Sequence, residues 1–232
     1  MPPELKNALS QVSTASIASA LLKLGLRNVW IRGAMPVAGG GSHRVGLAFT
    51  MRFLPMREDL VGPGLAKLGN SRAAVEAMEE GSFAVIDAMG VTDAGVAGDV
   101  LCARMALRGV AGMVTDGAVR DVAGVENSGL AVWSGGTASP APGNSLTFAD
   151  WGLPVACGGV AVFPGDVIVA DRDGAVVIPR SLAEQVAADA AEIERFDGWV
   201  ISRIAAGEPL TGLYPPNAEN QERYTREAAR EA

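Results

Sequence analysis

The chain has 232 residues, 49% of them hydrophobic and only 5% aromatic, with 29 glycines and a formal net charge of −7. That length supports a substantial core in one large domain or two small ones, and an acidic chain with no lysine–arginine cluster suits neither nucleic acid nor an anionic membrane. The opening MPPELKNALS lacks a basic stretch followed by an apolar one, and no apolar run reaches about 18 residues, so neither a signal peptide nor a transmembrane helix is expected.

In chain order, residues 5–24 read as helix, with Ser13 or Thr14 as a cap, Ile17, Leu21 and Leu24 on one face, and Gly25 as the stop. VGLAFTMRFL (45–54) alternates as a strand, and EDLVGPGLAKLGNSRAAVEAMEEG reads as loop and helix closed by Gly81. FAVIDA (83–88) is a strand, GDVLCARMALRG (98–109) a helix ended by Gly109, and VAGMVTDG the next strand. AVRDVAGVENSG then reads as a turn and short helix before the strand LAVWS (130–134). This alternation implies right-handed crossovers and a parallel sheet.

Past residue 150 the pattern changes. PVACGGVAVFPGDVIVADRDGAVVIP holds three Val-rich runs separated by PGD and DRDG turns, which is hairpin chemistry. DRDG is no calcium loop, because Ala175 stands where a third acidic ligand belongs and Leu182 where the bidentate glutamate belongs. Ser181 with Glu184 forms a capping box for a helix over 182–196, and the polar tail reads as a helical arm from about 197 to 232, on the surface or on a neighbouring subunit. With no repeat and no linker, a single domain over 1–232 is expected.

Scarcity narrows the chemistry. One histidine, His43, excludes a His-rich zinc site, and no G-x-S-x-G elbow presents a serine for a triad. None of Lys6, Lys23 and Lys67 sits in an apolar stretch that would depress its pKa, which disfavours a Schiff base. Cys102 and Cys157 lie isolated in apolar segments, as in a reduced, cytoplasmic protein. Carboxylates, arginine, backbone amides and a hard metal remain.

Those groups converge in DGAVRD (116–121). Arg120 and Asp121 end an apolar strand, and Asp99, with 20 residues between it and Arg120, opens the preceding helix. Helix down and strand up return the chain to one edge, so Gly98–Leu101 and Arg120–Asp121 are expected as neighbours at the carboxyl ends of parallel strands, where open α/β sheets place ligands. The first helical turn offers amides to a carboxylate. Arg120 offers a fork of donors, Asp121 one hard oxygen for Mg²⁺ or Mn²⁺, and Asp99 a means to orient a metal-bound water or take its proton. An arginine between acids also fits a structural salt bridge, and an aspartate at a helix start a simple dipole partner.

The order GDVL…TDGAVRD, WSGGTASPAP and PVACGGVAVFPGDVIVADRDGAVVIP, with VSTASIASALLKLG and GLAFTMRF before it, resembles the RraA-like proteins over about residues 12–180. That family includes the 4-hydroxy-4-methyl-2-oxoglutarate / 4-carboxy-4-hydroxy-2-oxoadipate aldolases, class II pyruvate aldolases, and the D-x20-R-D spacing is its most specific feature. The resemblance implies a swivelling β/β/α sandwich (phosphohistidine-domain-like) with a parallel central sheet and a second antiparallel sheet. It implies homotrimers or homohexamers with sites between subunits. It also implies that Gly98, Asp99, Val100 and Leu101 bind the pyruvyl carboxylate, that Arg120 binds substrate, and that Asp121 binds Mg²⁺ or Mn²⁺. A neighbour's carboxy-terminal glutamate assists in some members; Glu192 and Glu194 are the nearest here. The expected reaction is cleavage of a 4-hydroxy-2-oxo acid to pyruvate through a metal-stabilised enolate, with oxaloacetate decarboxylation on the side. The alternatives are a non-catalytic RraA-type regulator of ribonuclease E, and a related enzyme acting on another 2-oxo acid.

Other polar residues have plainer roles. His43 reads as a loop residue, Asp87 and Asp116 as acids that satisfy turn amides as readily as substrate, Trp133 as a packing group at a strand end, and Met105 and Met113 as core fillers.

Overall fold

The computed structural model describes residues 1–39, 42–60 and 70–231, and Lys67 lies outside them. The stretch expected as one helix is two, α1 (Pro3–Ser10) and α2 (Thr14–Lys23). Ser13 makes the break: its backbone is extended and its hydroxyl accepts the Ser16 N–H. His43 Nε2 lies 2.7 Å from Val12 O, a structural clasp on that joint. Gly25, at φ +86°, closes α2 as expected.

Next come β1 (Met35–Ala38), β2 (Arg44–Pro55), α3 (Ser71–Ala77), β3 (Ser82–Asp87), β4 (Gly95–Ala97), α4 (Asp99–Leu107), β5 (Gly112–Val119), α5 (Val122–Asn127) and β6 (Val132–Thr137). Every residue of β5, and every residue of β3 after Ser82, is buried, as continuous apolar runs in a covered parallel sheet require. β2 with β3, β3 with β5, β4 with β5, and β5 with β6 are all parallel.

The last strands are β7 (Leu146–Trp151), β8 (Val155–Cys157), β9 (Val160–Val162), β10 (Val167–Asp171) and β11 (Gly174–Ile178). β10 pairs antiparallel with both β2 and β11, and β7 pairs with the far half of β2. Among the described residues the main sheet runs β1-β6-β5-β3-β2-β10-β11, with β4 and β7 alongside, and β8–β9 form a small second sheet. The first Val-rich run folds back on itself at Gly158 and Gly159, both at positive φ, into β8 and β9. A curled, mainly parallel sheet plus a small antiparallel one is the mixed α/β architecture expected.

Apolar residues fill both faces of the sheet. Trp133 is 1% exposed, tilted against Phe83 at 5.8 Å, and its Nε1–H donates to Asp171 O at 2.6 Å. It is a packing group near the start of β6, as expected. Met105 and Met113 are buried core fillers, as expected.

The carboxy-terminal helices differ from expectation. The Ser181–Glu184 capping box does not form: a short 3-10 turn over Arg180–Leu182 intervenes, and the helix cap, Leu182, has no capping side chain. That helix, α6 (Ala183–Ala205), runs past 196 and so straddles the expected start of the arm. Phe196 and Trp199 sustain it by packing on Tyr224 of α7 (Ala218–Glu231), with centroids 5.1 and 5.6 Å apart. Trp199 Nε1–H donates to Glu227 at 2.8 Å, and Arg223 bridges Glu208 and Glu227, so α7 folds back onto its own α6. No helix among the described residues is long and apolar enough to cross a membrane.

Candidate active site

β4 and β5 end side by side: Ala97 pairs with Val119, and the Arg120 N–H donates to Ala97 O at 2.9 Å. The segments that leave those ends, Gly98–Leu101 and Arg120–Asp121, line one cleft of about 360 Å³ with Ser71, Gly95–Ala97 and Pro142. All six residues singled out from the sequence are thus brought together.

Two glycines permit the approach. A Cβ on Gly98 would lie 2.9 Å from Asp121 Oδ2, and one on Gly124 would lie 2.5 Å from Asp99 Cβ. Gly98 therefore leaves the Asp121 carboxylate uncovered, and Gly124 lets α5 press against the start of α4.

Gly98 caps α4, and its carbonyl accepts the Cys102 N–H at 3.0 Å. The Val100 N–H is already held by Asp99 Oδ1 at 2.7 Å, so one amide of the cradle carries an internal carboxylate. Asp121 adopts the left-handed conformation (φ 54°, ψ 44°), which costs a non-glycine residue about 1 kcal/mol or more. That backbone aims its side chain across the cleft mouth, where Arg120 Nε–H donates to Oδ2 at 2.9 Å. Arg120 and Asp121 stay partly exposed, with side-chain exposures of 35% and 42%. Behind the cleft, Arg104 of α4 forks onto Glu76 of α3 through two bonds of 2.8 Å and holds the Glu76 carboxyl below its ordinary pKa.

On the far side of Arg120 and Asp121 lies a second cleft of about 340 Å³, lined by Val119, Val122, Thr137, Ala138 and Ser139. The loop that carries it is tied to both strands, through Ala138 N–H to Val119 O and Gly95 N–H to Pro140 O, each 2.9 Å. Sequence reasoning missed Ser71, Thr137, Ser139 and Pro142 as lining residues. The segment WSGGTASPAP was a signal only as a block, with nothing to single out its hydroxyls.

The remaining polar candidates are structural. Asp116, 8% exposed, accepts the N–H groups of Ala88, Gly90 and Gly158, and burial pushes its carboxyl pKa up. Asp87, 5% exposed, accepts those of Met89 and Ala156. Glu194 accepts the Ser13 N–H at 2.8 Å, and Glu192 binds Tyr224 and Arg195, so each is engaged within its own chain. Burial pushes the Cys102 thiol up to about 12, aided by the Asp99 charge, so it stays a protonated packing group.

The profile of the RraA-like family, described as Aldolase/RraA, matches residues 14–177. A protein of Halalkalibacterium halodurans, provisionally named a 4-hydroxy-4-methyl-2-oxoglutarate aldolase, is 34% identical over 60% of this chain and 69% of its own length. Protein DlpA of Legionella pneumophila is 28% identical over 90% of this chain, which spans 33% of DlpA. Among solved structures, Streptomyces coelicolor RraAS2, described as an unusual member of the RNase ES inhibitor RraA family, superposes with TM-score 0.78 at 34% identity, covering 86% of this chain and 96% of its own. An uncharacterised protein of Pseudomonas syringae superposes with TM-score 0.82 at 26% identity, covering 92% and 94%. With its D-x20-R-D residues at one cleft and the family profile matched from α2 to β11, this chain belongs to the RraA-like family.

Proposed function

We propose that the chain is a divalent-metal-dependent lyase that cleaves a 4-hydroxy-2-oxo acid into pyruvate and a second carbonyl compound. The observation that carries this reading is the meeting of α4's first turn, Arg120, Asp121 and Asp99 at one cleft.

The donor set fits a hard cation. Asp121 offers Oδ1, which Arg120 leaves unengaged, and Gly98 keeps the carboxylate uncovered. Among the described residues no group of three or more His, Cys, Asp or Glu converges. Asp121 would then hold an ion that takes its other ligands from water and substrate, which suits Mg²⁺ or Mn²⁺. When bound, the ion supplies Lewis acidity toward charge that builds on the 2-oxo oxygen.

The chain's own residues do the rest. The amides of α4's first turn receive the C1 carboxylate, favoured by the positive end of the helix. Where that carboxylate takes the Val100 N–H, it displaces Asp99 and frees it as a base. Asp99 takes the proton of the C4 hydroxyl, directly or through one water. That O–H pair becomes the new carbonyl, the C3–C4 bond breaks, and its electrons pass to the C2 oxygen, which the Arg120 guanidinium meets. Protonation at C3 gives pyruvate. Oxaloacetate reaches the same enolate by losing carbon dioxide and is the expected side substrate.

Self-association as a homotrimer or homohexamer belongs to the same proposal. Val100 and Leu107 are 76% and 78% exposed on one stripe of α4, beside the cleft, and an apolar helix face is ordinarily covered. A cytoplasmic location accords with two buried, unpaired cysteines. The resemblance to RraAS2 favours a second reading, a protein-binding regulator without catalysis.

The test is pyruvate release from oxaloacetate with Mg²⁺ or with EDTA, on the wild type and on Asp121→Asn. Metal-dependent release abolished by the substitution supports the lyase. No release above background, or release indifferent to Asp121, overturns it in favour of the regulator.

A further inference from the structure

Three parallel strands end at one level: Ala97 of β4 pairs with Val119 of β5, and Val119 with Thr137 of β6. The first cleft opens beyond β4 and β5 and holds the amino-terminal amides of α4. The second opens beyond β5 and β6 and is lined by the exposed Thr137 and Ser139. Arg120 and Asp121 line both, and Arg120 is the one cation among the described lining residues. Its Nε is committed to Asp121, whereas its two terminal nitrogens have no partner among the described residues. The same holds for the hydroxyls of Thr137 and Ser139.

We infer that the second cleft receives the distal carboxylate of a dicarboxylic 4-hydroxy-2-oxo acid, held between the terminal nitrogens of Arg120 and the hydroxyls of Thr137 and Ser139. This rests on the lyase reading and names its substrate class. The α4 amides line the first cleft alone and claim the C1 carboxylate, so the far end of the substrate crosses the end of β5. Neighbouring strands lie about 4.8 Å apart, which sets the two clefts about one strand spacing from each other. Four carbon–carbon bonds of about 1.5 Å, in the zigzag of an extended chain, cover about 5 Å, so the C5 carboxylate of a five-carbon acid reaches the second cleft. A carboxylate there needs donors to replace its water. The guanidinium supplies charge, one terminal nitrogen meeting the C2 oxygen and the other the C5 carboxylate. Asp121 is engaged by Nε–H, which leaves both terminal nitrogens for substrate. The two hydroxyls donate to the remaining lone pairs of the carboxylate. Ala138 and Pro140, bonded to β5 and β4, fix those hydroxyls relative to Arg120. Oxaloacetate, one carbon shorter, falls short of the hydroxyls, so the carboxylate it loses is not clamped there.

The test measures binding as well as turnover, so that failure of the subsite and failure of the lyase reading are separable. With Mg²⁺ present, calorimetry compares 2-oxoglutarate with 2-oxopentanoate, acids of equal length that lack the C4 hydroxyl and are not cleaved. In parallel, kcat/KM for pyruvate release compares 4-hydroxy-2-oxoglutarate with 4-hydroxy-2-oxopentanoate. The dicarboxylic member of each pair is favoured about tenfold or more in the wild type, the scale of a charge-assisted hydrogen bond. Ser139→Asp, at an exposed loop position, brings both ratios to one or below, since like charges then meet. Thr137→Val, which keeps the shape and strand preference of threonine, lowers both ratios about threefold or more. Dicarboxylate preference in binding with no cleavage of any acid retains the subsite and sinks the lyase. Equal binding of the two acids by the wild type, or ratios that either substitution leaves untouched, overturns the subsite.

Discussion

Two pairs of aspartates sit near the carboxyl ends of neighbouring strands, and the fold treats them in opposite ways. Asp87 and Asp116 are 5% and 8% exposed, and two and three backbone N–H groups respectively saturate them. They organise the turn after β3 and the β8–β9 hairpin. Asp99 and Asp121 keep an open oxygen each: Asp99 holds a single amide, and Asp121 a single guanidinium N–H. What separates the two pairs is the count of donors that reach each acid. Residue type is the same for both. Glycines set that count, since Gly90 and Gly158 bring amides to Asp116 whereas Gly98 keeps Asp121 uncovered.

Making one change at both places breaks the comparison most sharply. Asp121→Asn lowers kcat for oxaloacetate about 10²–10³-fold, the scale of losing one preorganised charge-stabilising group, and asparagine tolerates the left-handed backbone, so urea denaturation moves little. Asp116→Asn does the reverse. Its amide NH₂ faces N–H donors, which costs about 1–3 kcal/mol in urea denaturation, while activity per folded molecule persists. Gly124→Ala tests the packing that joins α5 to Asp99: the new Cβ collides with Asp99 Cβ, costing about 1–3 kcal/mol despite alanine's better helix propensity, with a loss of activity that tracks the shift of Asp99.

The smallest effect is one of pH. The bond from Ser13 holds the Glu194 carboxyl below its ordinary value of 4.5. A lowered folded-state pKa contributes stability that is present above the unfolded value and lost as pH falls through the folded one. Glu194→Gln therefore melts earlier than the wild type at pH 7, and the gap narrows as pH falls below 4.5 through the lowered folded value. Asp116 has the opposite sign. Burial raises its pKa, so its linkage term favours the fold below its unfolded value near 3.8 and is lost as pH rises through the folded value.

The meeting of Gly98–Leu101 with Arg120–Asp121 was legible in the sequence because counting down a helix and back up a buried strand is reliable. β3 and β6 were legible for the same reason, and β2 from its alternation. β4 was not, since three residues carry no period, and β7 pairs through long-range ladder contacts that LTFADW does not announce. The break at Ser13 was lost because the apolar spacing continues across it while a hydroxyl cap and the His43 clasp decide the geometry. α6 outran its expected end because a tertiary contact, Phe196 and Trp199 against Tyr224, sustains it past 196. The second cleft was illegible because Thr137 and Ser139 belong to it only through the bonds of Ala138 and Pro140 to β5 and β4.

The most direct measurement is the relaxation of water protons by Mn²⁺ titrated into the protein with and without oxalate, a planar mimic of the pyruvate enolate. The account predicts one Mn²⁺ site per chain that tightens with oxalate in the wild type and is lost in Asp121→Asn. Equal Mn²⁺ and oxalate binding by the two proteins would contradict it.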